Sequence, residues 1–484
     1  MKQMLKHSTK EPGDFRLSFF ALTSIAFTTT AGILTAIWLW KFVSDYPDPS
    51  GANGYFYMKQ TETLASGLGF YFKDYSLAFA LPVGFMYVFK NSLDAFRAAT
   101  VFVWIGIVGG VGWLTWQLAE DIPPRKKMIA VIASVTAVCA CTQVYEFTLT
   151  FFKNSCAMML VIWGAGFALA SSWVAAPILL AALLTHKSML IVLGLLLFVR
   201  LLQLRSFRQR FAILAVGILV AAIYFLVFKL AYSHLLAMLS NFQSPHGWWQ
   251  WVRRLPVYNL ELCLTLLALL IALCLGLALR KRFNQYQRVY VDGTLMILVL
   301  ALQPFQLPGP NGPFYRFILL APAMSIPLVS TCLMRWKYGL YVGALALAPY
   351  FVQPSLSVHE IDEVFTPWAV IASDVLKIKN YVRPEDHLTS HHGLEFFIDY
   401  TTGIRSRSFL SDHPERSDFR VVYAAANWLR NSEASQDLQS HALLAIGSEY
   451  LLMPEFDWQS LKKKWAIPSN WKNPETHRPD FVSE

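Results

Sequence analysis

Two carboxylates stand at the start of a polar segment that directly follows the first long apolar run. Asp45 and Asp48 lie in S-D-Y-P-D-P-S-G-A-N-G-Y-F-Y-M-K-Q-T-E-T-L-A-S-G, between Val43 and Leu77. A carboxylate at the point where a helix leaves a membrane can act as a general base on an acceptor hydroxyl or amine, or bind a divalent cation beside a phosphate. Asp-Pro pairs are also ordinary turn formers, so a turn without a catalytic role is the competing interpretation.

A second set of polar residues lies at the ends of other apolar runs, which the topology below brings to the same side. Its members are Glu146, Lys153, Asn154, His186, Lys187, Tyr315 and Arg316. A planar guanidinium suits bidentate contact with phosphate, and an outside arginine opposes the usual inward bias of positive charge, so Arg316 is the most informative cation. With Lys153 and Lys187 it would form an anion pocket for a lipid phosphate or pyrophosphate. The alternative is that these side chains snorkel to anionic headgroups.

The elements that must hold these residues are apolar helices of membrane length. Hydrophobic residues make up 55% of the 484 positions and charged residues only 15%. Apolar runs near bilayer length recur through the first 350 positions, which predicts an α-helical polytopic membrane protein. Lys and Arg concentrate at the ends of these runs, so the net charge of +10 reflects topology and does not indicate a nucleic-acid partner.

Eleven apolar segments are candidate spans. They cover residues 17–43, 98–118, 128–146, 155–172, 173–185, 188–204, 211–232, 259–280, 292–307, 317–334 and 338–352. Segment 77–89 contains a proline and a glycine and is too short to cross, so we expect a re-entrant or interfacial piece. The positive-inside rule then puts the N-terminus in the cytoplasm, and the first loop (44–76) and the C-terminus outside. Within that loop, Tyr55 to Ser66 predicts an amphipathic helix lying in the membrane surface.

From about Gln353 the sequence becomes hydrophilic. This change predicts a transmembrane domain over 1–352 and a small extracytoplasmic α/β domain over 353–484. In the second domain we expect helices near 368–380, 419–430 and 458–465, and strands around 388–390 and 450–453. His391, His392 and Glu395 lie close together in sequence and could contribute to a metal site, although a strand-and-turn edge is the simpler interpretation. No Walker loop, nucleophile elbow, zinc-helix motif or dinucleotide fingerprint supports cytosolic nucleotide chemistry.

Several features together resemble the GT-C fold of polyprenyl-phosphate-sugar-dependent glycosyltransferases. They are a cytoplasmic N-terminus, an acidic first outside loop, a Tyr-containing helix ending in Ala-Ser-Gly, a short Pro-containing piece, and L-D-A-F-R-A-A-T opening the next span. The resemblance covers most of residues 15–335. It implies that Asp45 or Asp48 acts as the base. The nearest counterpart of the family's acidic position is Asn53, which cannot be a base and leaves open a different base or lost catalysis.

The resemblance also implies the partners of the reaction. The donor would be a sugar linked through phosphate to a polyprenyl or dolichyl lipid, and the acceptor a glycan, lipid or protein on the extracytoplasmic face. Glu146, followed by Lys153 and Asn154, resembles a second acidic position of the family. The turns His186-Lys187 and Tyr315-Arg316 resemble positions that line the donor phosphate. The candidate cofactors are the lipid-linked donor and a divalent cation, and the sequence assigns no ligands to that cation.

These inferences lead to a membrane glycosyltransferase of cell-envelope glycan biosynthesis, placed in a bacterial inner membrane and surrounded by membrane lipids. Two alternatives stay open. One is an O-antigen ligase or polymerase acting on diphosphate-linked glycans, although such proteins carry their large outside loop late in the membrane domain. The other is a non-catalytic subunit that binds lipid or a protein partner, or a transporter, which buried charges within the spans would favour.

Overall fold

In a computed structural model, the chain is mostly helical and carries one small sheet. The structure describes residues 19–51, 53–71, 74–186, 189–203, 206, 211, 214–215, 217–218, 260–302, 313–336, 339, 346–350, 368–390, 393–408, 417–423, 432–447 and 450–465. The helices up to residue 335 are α1 (Phe19–Ser44), α2 (Gly54–Ala65), α3 (Ala80–Phe89), α4 (Ser92–Leu118), α5 (Pro124–Ala140), α6 (Thr142–Thr150), α7 (Phe152–Leu169), α8 (Ala175–Thr185), α9 (Met189–Gln203), α10 (Leu260–Leu279), α11 (Gln285–Leu302) and α12 (Pro313–Arg335).

Several of these helices are apolar and long enough to cross a bilayer. By length and composition α1, α4, α7 and a stretch that begins in α10 (Leu264–Arg282) qualify among the described residues, and the bent pair α5 and α6 adds a fifth span if it is counted as one. The predicted multi-pass architecture is confirmed. The predicted spans 211–232 and 338–352 lie largely outside the described residues.

Two predicted spans differ from the structure. The span 128–146 is broken, because α5 and α6 meet at Cys141 with a bend of 58°. Cys141 has an extended ψ of 104° and is fully buried, and a break in a membrane helix is tolerated where protein surrounds it. The span 292–307 begins earlier, at Gln285, because Asn284 Oδ1 accepts a hydrogen bond from the Gln287 amide at 2.9 Å and caps the helix.

Polar contacts gather at the two ends of α4, which at about 1.5 Å per residue lie roughly 40 Å apart. The end that carries residues 45–76 is called the loop face. The other end, the basic face, carries Arg335, whose Nη1 donates to Asp121 Oδ2 at 2.5 Å and whose Nη2 donates to the Leu118 carbonyl at 2.9 Å. Gln287 donates to the same carbonyl at 3.0 Å, so α4, α11 and α12 are tied together there.

The short piece 77–89 begins and ends on the loop face. It consists of a 3-10 turn (Leu77–Phe79) followed by α3. Just before it, Ser76 Oγ donates to the Thr185 carbonyl at 2.5 Å. Just after it, Ser92 Oγ donates to Glu62 Oε1 at 2.7 Å. Because both ends are tied to loop-face residues, this piece does not cross, which agrees with the predicted re-entrant or interfacial piece.

The C-terminal part forms a five-stranded sheet flanked by helices. The strands are β1 (Leu388–Ser390), β2 (Ser406–Ser408), β3 (Phe419–Tyr423), β4 (Leu444–Ile446) and β5 (Tyr450–Pro454), and the helices are α13 (Trp368–Lys377), α14 (Leu394–Thr402), α15 (Ser432–His441) and α16 (Glu455–Lys464). The strand order is β2-β1-β3-β5-β4, in which β1 is parallel to β2 and β3, whereas β5 is antiparallel to β3 and β4.

The predicted helix over 419–430 is wrong where the structure describes it. Residues 419–423 form β3, the middle strand of the sheet. Val421 and Val422 are both buried, one on each face, and β-branched residues favour such a strand over a helix. Residues 424–430 lie outside the described part. The predicted helices near 368–380 and 458–465 and the strands near 388–390 and 450–453 are present.

One hydrophobic core joins the helices and the sheet. The junction is α2, which packs against α3 and α4 on one side and α14 on the other. Tyr55, Phe56, Tyr57 and Met58 of α2 are therefore buried, which differs from the predicted surface helix. An interfacial helix keeps one face open to water, and here α14 covers that face.

Candidate functional site

The first loop folds back on itself so that Asp48 meets Tyr55. The Tyr55 hydroxyl donates a hydrogen bond to Asp48 Oδ1 at 2.5 Å, which is the short distance typical of an O–H donor to a carboxylate. Gly54 permits the fold, because a Cβ there would lie 2.6 Å from the Cβ of Pro49. Asp48 is 5% exposed, whereas Asp45 is exposed. Of the two predicted acids, one is held inside the loop and the other faces outward.

Tyr55 stays a hydrogen-bond donor across the physiological pH range. Its pKa is raised by burial, then by the hydrogen bond to Asp48 and the charge of that carboxylate. Its ring lies 4.9 Å from the ring of Phe397 and 5.3 Å from that of Tyr400, both on α14. The phenol ring is thus packed against α14 while its hydroxyl binds Asp48.

The end of α6 lies directly against the first loop. Gly51 has a φ of +77°, and a Cβ on it would lie 2.8 Å from the carbonyl oxygen of Thr150, the last residue of α6. Only glycine adopts this conformation without strain and allows such a close approach. Glu146, one turn earlier on α6, is half-buried. The helix α6 follows the bend at Cys141 and ends against this loop.

Lys153 lies on the loop face, as the sequence predicts, and already has a counter-charge. Its Nζ forms an ion pair with Asp74 and lies 5.3 Å above the ring of Phe56. Asn154, the next residue, is buried. The lysine is therefore one half of a salt bridge between α7 and the segment before α3, and this salt bridge lies beside α2.

The His186 turn joins the same face. His186 directly follows α8, whose last carbonyl, that of Thr185, accepts the hydrogen bond from Ser76. Lys187 lies outside the described residues. Tyr315 and Arg316 fall in the first turn of α12, and their side chains also lie outside the described part. The segments that lie on the loop face thus carry six predicted residues: Asp45, Asp48, Glu146, Lys153, Asn154 and His186.

Arg97 is a functional candidate that the sequence interpretation missed. It is 9% exposed, pairs with Asp94 Oδ1 at 3.2 Å, and donates a hydrogen bond to the carbonyl oxygen of Tyr46, between the two loop acids. Its Nε is buried and has no hydrogen-bond partner. The signal was an Asp and an Arg three residues apart in the first turns of an otherwise apolar span.

The structure assigns no metal ligands. Among the residues that it describes, no three His, Cys, Asp or Glu side chains lie close enough to hold an ion together. His391 and His392 lie outside that part of the chain, and Glu395 is buried in α14. Asp45 and Asp48 are two acids, and they remain candidates for the general base.

The described residues form a helical bundle with a folded first loop, a short apolar piece after it and a sheet packed on the loop face, an arrangement that resembles the GT-C fold. Comparison with solved structures agrees. The apo crystal structure of the Archaeoglobus fulgidus oligosaccharyltransferase matches 86% of this chain and 71% of its own, with a TM-score of 0.55 and 11% identity. Apo ArnT from Cupriavidus metallidurans matches 89% of this chain and 98% of its own, with a TM-score of 0.52 and 13% identity.

At these identities the likeness establishes the fold. No protein-family model matches the chain, and no curated protein matches it in sequence.

Proposed function

We propose that this chain is a membrane glycosyltransferase that takes a sugar from a polyprenyl-phosphate donor and transfers it to an acceptor at the loop face. One observation carries the proposal. On a fold that a solved oligosaccharyltransferase shares, the chain keeps an acidic first loop whose Asp48 is held by Tyr55 at 2.5 Å. A carboxylate held in one orientation is what a general base requires.

The proposed reaction is a single displacement. The acceptor hydroxyl or amine attacks the anomeric carbon, and a first-loop carboxylate, Asp48 or Asp45, takes the acceptor proton. The bond between the anomeric carbon and the phosphate oxygen breaks, and that oxygen keeps the electron pair. The products are the glycosylated acceptor, with inverted anomeric configuration, and polyprenyl phosphate.

Cations on the loop face would stabilise the charge that grows on the leaving phosphate. Lys153 is the described candidate, and Lys187 and Arg316 are candidates from the sequence. In the structure Lys153 pairs with Asp74. Binding of the donor phosphate would therefore require the lysine to exchange a carboxylate partner for a phosphate, or to contact both.

Release of polyprenyl phosphate tests the proposal. The full chain in nanodiscs is given undecaprenyl-phosphate and dolichyl-phosphate hexoses and pentoses, with envelope extract as the source of acceptor. We expect release from at least one donor, and a loss of about 100-fold or more in Asp48→Asn or Asp45→Asn, the usual cost of removing a general base. The matched control is Asp437→Asn, because Asp437 on α15 forms an ion pair with Lys464 on α16, away from the first loop.

Asparagine neutralises either acid with little change in shape, and thermal unfolding of each variant checks that the fold is retained. Release that persists at the wild-type rate in the double variant Asp45→Asn, Asp48→Asn would remove the first loop from the chemistry. Absence of release from every donor by the wild-type chain would contradict the enzymatic proposal.

A second candidate is a non-catalytic subunit that binds the lipid-linked sugar. The observation in its favour is the burial of Asp48, which leaves only 5% of the residue exposed. A binding protein would retain the intact polyprenyl-phosphate sugar through purification and show no turnover. The two candidates therefore differ in the chemical state of the recovered lipid, which mass spectrometry reads directly.

A further inference from the structure

Helix α14 covers the side of α2 that faces away from the membrane helices, and the covering is aromatic. Phe397 and Tyr400 lie against Tyr55, with ring centroids 4.9 Å and 5.3 Å apart. Phe396 lies 5.1 Å from Phe56. These separations are in the range of favourable aromatic pairs.

Polar contacts run along the same junction. Glu62 Oε1 on α2 accepts hydrogen bonds from Tyr400 at 3.0 Å and from Ser92 at 2.7 Å, so α2, α4 and α14 share one acceptor. One turn along α2, Lys59 lies 3.8 Å from Asp399. The position of α14 is therefore fixed relative to both α2 and α4.

We propose that α14 is a positioning element of the candidate site, and that Phe397 and Tyr400 act through Tyr55 to hold the Asp48 carboxylate. The inference rests on the proposed function for its catalytic consequence. Its physical basis is independent of that function: a phenol ring packed by two neighbouring rings has few orientations, and the Tyr55 hydroxyl donates to Asp48 Oδ1 at 2.5 Å. A misplacement of about 1 Å of a reacting group costs up to about 100-fold in rate.

A purely structural role for α14 predicts a different result. If α14 only stabilised the fold, replacing its rings would act independently of Tyr55, and the effects on rate would multiply. If α14 acts through Tyr55, its replacement has little left to change once the Tyr55 hydroxyl is gone. A double-mutant cycle separates these cases.

The cycle uses Tyr55→Phe, Phe397→Leu and the double variant, with the undecaprenyl-phosphate sugar that the wild-type chain consumes fastest. We expect kcat to fall about 30-fold in Tyr55→Phe and about 10-fold in Phe397→Leu, with KM for the donor unchanged. The double variant should match Tyr55→Phe within about twofold. A product of the two effects, near 300-fold, would overturn the inference.

The matched control is Glu455→Gln. Glu455 binds Arg420 through both carboxylate oxygens, at 2.7 Å and 2.9 Å, in the same sheet region and away from α2. We expect its kcat to equal that of the wild type. If Phe397→Leu does not fold, Tyr400→Leu takes its place in the cycle, because it removes the other ring that packs on Tyr55.

Amide hydrogen exchange supplies a readout that needs no substrate. In full-length chain in nanodiscs, we expect amides of residues 45–53 to exchange about 10-fold faster in Phe397→Leu and unchanged in Glu455→Gln. Unchanged exchange in Phe397→Leu would overturn the inference even if the chain is an active transferase. If the wild type releases no polyprenyl phosphate, the proposed function fails, and exchange alone decides whether α14 positions the loop.

Discussion

The Tyr71 hydroxyl donates to both carboxylate oxygens of Asp399, at 3.0 Å each, across 328 positions of sequence. Asp399 lies on α14 and is 1% exposed, and Tyr71 lies between α2 and α3. A buried carboxylate is costly unless hydrogen-bonded, so this contact fastens the sheet region to the first loop. It also gives the junction a dependence on pH.

The pKa of Asp399 is raised by burial, which outweighs the hydrogen bond from Tyr71 and the charges of Lys59 and Arg405. Below the pKa of the unfolded chain, near 4, the carboxyl is protonated in both states. Above it the unfolded state releases the proton first, so this group's contribution to stability is lost as the pH rises through the folded pKa. We therefore expect Asp399→Asn to gain thermal stability relative to wild type as the pH rises from 4 to 7.

A carboxylate with the opposite shift supplies the control. The pKa of Asp437 is lowered by its hydrogen bonds from Lys464 and Trp465. Its contribution is present above the unfolded pKa of about 4 and is lost as the pH falls through the folded pKa, so Asp437→Asn should lose stability relative to wild type as the pH rises from about 2 to about 5. Thermal unfolding in nanodiscs at four or five pH values measures both. The same sign of slope in the two variants would contradict the assignment for Asp399.

Alanine variants of Gly51 and Gly67 separate the effect of backbone strain from the effect of a steric contact. Their φ angles are +77° and +74°, yet a Cβ on Gly51 would meet the Thr150 carbonyl at 2.8 Å, whereas a Cβ on Gly67 would meet no atom within 4 Å. Both alanine variants should lose about 1 kcal/mol of stability from the left-handed conformation. Only Gly51→Ala should also slow release of polyprenyl phosphate, by about 10-fold or more, because it pushes the loop from α6.

Equal rates in the two glycine variants would show that contact with α6 does not matter to the site. The comparison needs only thermal unfolding and the release assay. Because the two φ angles differ by 3°, any difference in rate beyond about twofold is attributable to the environment of the Cβ rather than to the backbone.

Arg97 tests whether the loop acids depend on a buried guanidinium. Its Nη1 donates to Asp94 and its Nη2 donates to the carbonyl of Tyr46, and a lysine has no second nitrogen in a fixed planar arrangement with which to make both contacts. We expect Arg97→Lys to lower kcat about 10-fold and Arg97→Ala to lower it further and reduce thermal stability. Arg383→Ala, at an exposed position of the sheet region, should change neither. Wild-type kcat in Arg97→Lys would show that its charge alone suffices.

Hydropathy was enough to predict a multi-pass helical protein, because the signal of a long span is summed over many residues, whereas the count of eleven spans stays a prediction. The short piece 77–89 was also predictable, since thirteen residues cannot cross a bilayer. The break at Cys141 was not, because both halves are apolar and only tertiary packing decides where the helix bends. The strand β3 was missed for a related reason: F-R-V-V-Y is short, and its two neighbours in the sheet come from distant sequence.

The sequence predicts which candidate residues lie on the same face of the protein, but it does not predict which residues they contact. Placement of Asp48, Lys153 and His186 on one face follows from topology. The partners of these residues do not: Tyr55 reaches Asp48 only because Gly54 and Pro49 close the loop. The packing of α14 on α2 depends on contacts between residues more than 300 positions apart, which a local sequence pattern cannot predict.

Variants of Lys153 and Asp74 test whether the loop face binds the phosphate of the donor. Removal of Lys153 as Lys153→Met should raise KM for the polyprenyl-phosphate donor about 10-fold if the ammonium contacts the donor phosphate. Asp74→Asn leaves the same lysine without its ion-pair partner, so KM should stay the same or fall. A structural salt bridge predicts instead that both variants lose stability alike and raise KM alike. Initial rates over a range of donor concentrations, with thermal unfolding of each variant, distinguish the two, and a common rise in KM would remove Lys153 from the phosphate site.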